Sequence, residues 1–295
     1  MSKVAFIGLG TMGFSVAGHL KMRGRHDLVV FNRTRPKAEA WVAKFGGTLA
    51  ATPAETAEDA AFVFTCVGND DDLRAVTLEP NGAFAALRKD AVFIDHTTAS
   101  ASIARELYEA AKARGASALD APVSGGQSGA ENGTLTVMAG GDNGAFVAAK
   151  PVIEAYAGAV NLIGPAGSGQ LTKMVNRICI GGLIEGLAEA LHFASRAGLD
   201  IGRVIDTISK GAAQSWQMDN RWKTMVEGKF DFGFAVDWMR KDLAMIFEEA
   251  RKNGASLPVT ALVDQFYAEI QEMGGRRCDT SSLIARLERK ERGGE

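Results

Sequence analysis

Cysteine is scarce. The chain has three in 295 residues, Cys66, Cys179 and Cys278, scattered and odd in number. There is no C-x-x-C pair and no Cys/His cluster, so neither a disulfide framework nor a zinc site is indicated and no metal is expected. An excess of positive charge is also lacking: 33 Lys and Arg against 35 Asp and Glu leave a net charge of −2. Nothing in that balance points to nucleic acid or to an anionic membrane surface as a partner. The N-terminus runs straight into a strand-like segment without the regions of a signal peptide. The most apolar later stretch, 178–194, carries Glu185, Glu189 and His192, which suits a buried helix of a soluble protein better than a membrane span. A cytoplasmic protein is expected. Repeats and low-complexity tracts are absent. What remains, 46% hydrophobic and 23% charged residues, is the balance of a globular chain of one large or two ordinary domains.

The first half alternates short apolar runs with helical patterns. Strands are expected over 4–8, 28–32, 62–67, 92–95, 118–120, 134–139 and 159–163, with helices over 15–23, 36–45, 102–114 and 144–156 between them. Such alternation means βαβ units and a mainly parallel sheet. After residue 165 the pattern turns helical: 168–196, 201–209, 219–227, 243–253, 259–273 and 281–291. Asp200, Asp219, Pro258 and Ser281 supply start signals. The fold class expected is α/β, with a Rossmann-type sheet domain over 1–164. A long helix joins it to an all-helical domain over 165–295, and the polar tail 289–295 is expected to fray.

Gly8, Gly10 and Gly13 follow the first strand in the run Gly8-Leu9-Gly10-Thr11-Met12-Gly13. In G-x-G-x-x-G the first glycine permits a tight turn, the second lets a pyrophosphate approach, and the third lets the next helix pack closely. The phosphates then meet the free N–H groups and positive dipole end of that helix. An NAD site places an acid about 20 residues further on, for the ribose 2′-hydroxyl. Here the second strand ends in Asn32-Arg33-Thr34. A carboxylate would repel a 2′-phosphate, whereas Arg33 and Thr34 can hold one. NADP is expected, with NAD as the alternative.

Three later segments carry polar groups suited to chemistry. Asp120-Ala121-Pro122-Val123-Ser124-Gly125-Gly126 follows a strand, at the sheet edge where α/β folds bind ligands. Ser124 and the glycine N–H groups form either a small anion nest or a flexible loop. Lys173, Asn176 and Arg177 share one helix face at i, i+3 and i+4, next to an apolar run that calls for buried partners. Lys241-Asp242-Leu243 sits where a helix is expected to start, and a surface ion pair would explain Lys241 and Asp242 equally well.

Taken together, these four segments, in this order and spanning the whole chain, resemble the signatures of the β-hydroxyacid dehydrogenase family. The resemblance implies Lys173 as the catalytic residue and Ser124, Gly125 and Gly126 as the substrate-carboxylate loop. It implies Asn176 and Arg177 as substrate contacts and Lys241 as a residue closing over both cofactor and substrate. Val67, Gly68 and Thr98 correspond to loop positions beside the cofactor. Two positions depart from the pattern: Arg177 stands where many members have Asn, and Gly68 replaces a usual Pro. The family implies a small carboxylate-bearing substrate and a homodimer or homotetramer. The aromatics Trp216, Trp222, Phe230, Phe232, Phe234 and Trp238 would serve such an interface or fill the helical core.

The function expected is therefore hydride transfer between a nicotinamide and a small 3-hydroxy acid, its semialdehyde or keto acid. Lys173 would act as general acid and base. Free lysine titrates near ~10.4, and burial beside a cation such as Arg177 would lower that. An imine reductase or a non-catalytic dinucleotide-binding scaffold are the alternatives. The chain is short for a 6-phosphogluconate dehydrogenase.

Overall fold

The computed structural model describes residues 2–288; the tail 289–295, and with it the end of the helix expected over 281–291, lies outside them. The chain divides into two compact units, Met1–Lys173 and Met174–Glu295. In the first, the order is β1 (Lys3–Ile7), α1 (Thr11–Met22), β2 (Asp27–Phe31), α2 (Arg35–Phe45), β3 (Thr48–Leu49), α3 (Pro53–Ala57), β4 (Phe62–Thr65), α4 (Asp70–Thr77), β5 (Val92–Asp95), α5 (Ala101–Lys112), β6 (Ser117–Asp120), β7 (Val123–Ser124), α6 (Gly126–Asn132), β8 (Leu135–Gly141), α7 (Asn143–Ile153) and β9 (Ala157–Gly164). One sheet runs β3-β2-β1-β4-β5-β6-β8-β7, with β9 paired to β8. The strands from β3 to β6 are parallel; β8 runs antiparallel to β6 and β7, and β9 runs parallel to β8. The sheet class matches expectation.

Helices on both faces explain why β1 reads as an unbroken apolar run. Val4 and Phe6 enter one core with Phe64, Trp41 and Tyr156, while Ala5 and Ile7 enter the other with Val63, Phe93 and Phe84. The two-residue strands β3 and β7 are too short for periodicity to reveal. The helices expected from the sequence do not include α3, α4 or α6. α4 opens on three aspartates behind an Asn69 cap, a good start for a helix but a poor apolar signal. α6 (GQSGAEN) has little intrinsic helicity. Its last carbonyls are met from α1, with His19 Nε2 3.0 Å from Ala130 O and Arg23 donating to Asn132 O at 3.2 Å.

α8 (Ser168–Arg196) crosses the division, and α9 (Ile201–Ile208), α10 (Trp216–Val226), α11 (Val236–Asn253), α12 (Pro258–Glu272) and α13 (Leu283–Leu287) follow. Leu187, Leu191, Met225, Met239, Leu243, Tyr267 and Leu283 are buried in the second unit. Among the described residues α8 is the one helix with the length and composition to cross a membrane. Its buried Glu185 is nevertheless paired within the unit to Arg286. Two helix starts need correction. α10 begins at Trp216, capped by Ser215, rather than at Asp219. α11 begins at Val236, so Lys241 and Asp242 lie in its second turn and not at its start. The cause is remote in sequence: the Asp279 carboxylate accepts from Phe234 N at 2.8 Å, and Val236 N donates to Cys278 O at 2.9 Å.

His96, just past β5, ties the sheet to the β9 side of the unit. A carbonyl can only accept, so Nδ1 donates to Ala121 O at 2.6 Å and Nε2 accepts from the Tyr156 hydroxyl at 2.6 Å. Burial pushes its pKa down to about 4, against the opposing pull of the Ala121 bond. The folded state thus binds the proton less tightly than the unfolded chain. His96 supports the fold fully above its ordinary value of 6.5 and progressively less as pH falls through 4. Imidazole 15N shifts should report a neutral Nδ1–H ring down to about pH 5; a midpoint at its ordinary value would contradict this assignment.

Candidate active site

The carboxyl ends of β1, β2, β4, β5 and β6 lie side by side at one edge of the sheet, around the reversal of strand order between β1 and β4. Open α/β sheets bind ligands at such a reversal. Gly8 has φ +100°, and a Cβ there would lie 2.3 Å from Cys66 O. A Cβ on Gly13 would lie 2.0 Å from Gly8 O, so the first turn of α1 rests directly on the turn. A Cβ on Gly10 would meet nothing within 4 Å. Gly10 caps α1 without a side-chain hydrogen bond, and the first turn holds no acid. The N–H groups of Thr11 and Met12 thus stand at a positive helix end open to an anion, while the Gly13 N–H bonds the Cys66 thiol. This arrangement fits a dinucleotide pyrophosphate.

Asn32 spends its amide on the backbone. Oδ1 accepts from Leu9 N at 2.8 Å, and Nδ2 donates to Thr34 O at 2.9 Å. An aspartate could accept the first bond but could not donate the second. Arg33 is largely exposed and pairs with Asp72 of α4 at 2.7 Å. Thr34 caps α2 without using its hydroxyl. After β4, Val67 N donates to Thr97 Oγ1 at 3.0 Å, which links the Val67–Gly68 turn to the loop carrying Thr98. Beneath that loop Asp95 accepts from Thr65 Oγ1 and Thr97 N. Burial pushes its carboxyl up to about 7, the two Thr donors opposing.

Lys173 is buried, and its Nζ donates to Val123 O at 2.6 Å, one residue before Ser124. Gly125 (φ +125°) and Gly126 (φ +62°) carry the chain from β7 into α6. Asp120 closes β6 and accepts from Gly167 N at 2.7 Å and Gln170 N at 2.8 Å. Burial pushes Asp120 up to about 6, although these backbone donors pull it down. Sequence reasoning missed what Asp120 and Gln170 do. Their only signal was position, at the end of a strand and one turn before Lys173.

In the second unit, Arg177 Nε donates to Asp242 Oδ2 at 2.7 Å, and its guanidinium lies 3.8 Å from the centre of the Phe234 ring. Lys241 Nζ is 3.1 Å from Asp242 Oδ1. The positive charge of Arg177 is therefore matched by Asp242. Asn176 Oδ1 is buried without a hydrogen-bond partner, an acceptor suited to a hydroxyl. None of the six aromatics singled out from the sequence is buried, and Trp216, Phe232 and Trp238 are exposed.

The family model of the NAD-binding domain of 6-phosphogluconate dehydrogenase matches residues 3–164. The model for the NAD-binding of NADP-dependent 3-hydroxyisobutyrate dehydrogenase matches residues 167–287. An uncharacterized oxidoreductase of Shewanella frigidimarina is 61% identical, over 98% of this chain and 99% of that one. The 2-hydroxy-3-oxopropionate reductase of Escherichia coli is 32% identical, over 97% of both chains. The structure of Mycobacterium tuberculosis 3-hydroxyisobutyrate dehydrogenase with L-serine aligns at a TM-score of 0.89 and 29% identity, over 98% of this chain and 100% of that one.

The Arg177–Asp242 pair yields a stability prediction. The Arg177 side chain is 11% exposed and that of Asp242 2%. Arg177→Gln leaves a buried carboxylate with Lys241 as its remaining cation, and should lower unfolding free energy by about 3 kcal/mol. Urea unfolding checks this; wild-type stability would mean that the pair contributes nothing net.

Proposed function

The chain belongs to the β-hydroxyacid dehydrogenase family, and we propose that it is an NADP-preferring member that interconverts a small 3-hydroxy acid with its semialdehyde or keto acid. The observation that carries this reading is the buried Lys173 ammonium held at Val123, beside the Ser124-Gly125-Gly126 loop. Residues 1–164 are assigned to the dinucleotide and 165–295 to substrate and assembly. Gly8 to Gly13 would hold the pyrophosphate, Arg33 and Thr34 the 2′-phosphate, and Val67, Gly68, Thr98 and Lys241 the remaining cofactor contacts. Asn32 shapes that site through Leu9 and Thr34 rather than by reading the phosphate. Ser124, Gly125, Gly126, Asn176 and Lys241 bind substrate, and Arg177, engaged by Asp242, shapes substrate choice.

A bound nicotinamide supplies a hydride to the carbonyl carbon, or accepts one from the alcohol. The remaining step is a proton transfer at oxygen. The Lys173 ammonium polarises the carbonyl and then donates its proton to the oxygen, leaving a neutral amine; in the reverse direction neutral Lys173 takes the alcohol proton. The Ser124 hydroxyl and the glycine N–H groups orient the substrate carboxylate. We place the enzyme in the cytoplasm as a homodimer or homotetramer. The exposure of Leu183, Phe193, Trp216 and Leu262 in the second unit supports assembly through that unit.

Two measurements test this reading. Lys173→Ala should lower kcat by roughly 10³-fold while the Kd for reduced cofactor stays unchanged; retained turnover would refute the mechanism. The wild-type enzyme should have the higher kcat/KM with NADP. Arg33→Ala should reduce that value by about tenfold or more and spare NAD. Equal use of both cofactors by the wild type would overturn the preference.

A further inference from the structure

The start of α8 is gripped by side chains that reach in two directions. The Asp120 carboxylate takes the N–H groups of Gly167 and Gln170, one on each oxygen. The Gln170 side chain reaches the other way, its Oε1 accepting from Ala99 N at 3.0 Å and its Nε2 donating to Thr97 O at 2.7 Å. Both residues are buried. Between them, a Cβ on Gly169 would lie 2.4 Å from Asp120 O and from Met138 O, so the helix backbone rests directly on β6 and β8. One turn further on, Lys173 Nζ returns to Val123 O, on the segment that Asp120 begins. The ring Asp120, α8, Lys173, Val123 is therefore closed, and Pro122 stiffens its remaining side.

The residue types are specific to these bonds. An Asn at 120 would present N–H where a second acceptor is needed. A Glu at 170 could not donate to Thr97 O. A lysine on a four-carbon stem is otherwise free to wander, and a misplacement of roughly 1 Å costs on the order of 10²-fold in rate.

We propose that Asp120 and Gln170 are positioning residues for Lys173: Asp120 fixes the start of α8 against the Val123–Gly126 loop, and Gln170 fixes it against the Thr97–Ala99 loop. The proposal rests on the reading of Lys173 as proton donor. Asp120→Asn and Gln170→Met test it in the full-length enzyme, each compared with wild type by thermal melt, Kd for reduced cofactor and the pH dependence of kcat. The folded variants should lose kcat on the order of 10²-fold, far more than any rise in Kd, and the limb of the pH profile that belongs to Lys173 should move. Wild-type kcat and pH profile with only a lowered melting temperature would make the pair a helix cap and overturn the proposal. Failure of both variants to fold would do the same, by assigning the bonds to stability alone. Lys173→Ala is the control. If it is inactive while both variants turn over normally, only the positioning role falls; if it is active, the underlying function falls.

Discussion

The grip of Asp120 on the N–H groups of Gly167 and Gln170 is the contact on which the placement of Lys173 depends in the proposed site. It joins the end of a central strand to the start of the helix carrying Lys173, and it does so where burial opposes a charge. The two backbone donors and the positive end of a helix make a carboxylate tolerable there. Burial nevertheless leaves its pKa raised, at about 6. Without that carboxylate, α8 would begin with unmet donors against the backbone of β6 and β8, where no side chain at Gly169 could fit.

The same matching recurs at several other buried polar groups. His96 takes one donor and one acceptor role, each matched by a single partner. Gln170 uses both ends of its amide. Asp242 meets Arg177 on one oxygen and Lys241 on the other. Asn176 Oδ1 and Glu185 Oε2 are among the buried atoms left without a hydrogen-bond partner, and in the proposed function a ligand hydroxyl would meet the first.

Legibility in the sequence follows the range of the interaction that fixes each feature. The glycine turn was readable because Gly8, Gly10 and Gly13 stand at a recognisable local spacing behind a strand, although the contact that excludes a side chain at Gly8 is the distant Cys66 O. The sheet class followed from alternation alone. The start of α11 was misplaced because Asp279, more than forty positions away in sequence, holds Phe234. α6 was missed because His19 and Arg23, about 110 positions earlier, complete its C-terminus. Lys173 could be singled out by its face and its family resemblance, but not its partner: nothing local says that Nζ turns to Val123 O. Asp120 was visible as a motif letter and invisible as a helix anchor for the same reason.

Cofactor and substrate preference rest on different physics in this chain. Around Arg33 the question is one of competing anions at the surface. Asp72 holds the guanidinium at 2.7 Å, and the 2′-phosphate of the proposed NADP would have to share or displace that partner in a solvated setting where each ion pair is worth little. Around Arg177 the pair is buried, so its geometry is fixed before any substrate arrives. A guanidinium stacked on Phe234 and bonded to Asp242 cannot swing to follow a ligand without stranding a carboxylate in the interior. In the proposed function Arg177 would therefore act on substrate choice through the shape and charge it imposes with Asp242 and Lys241. Replacing it with Asn would change three residues' electrostatics at once rather than one contact.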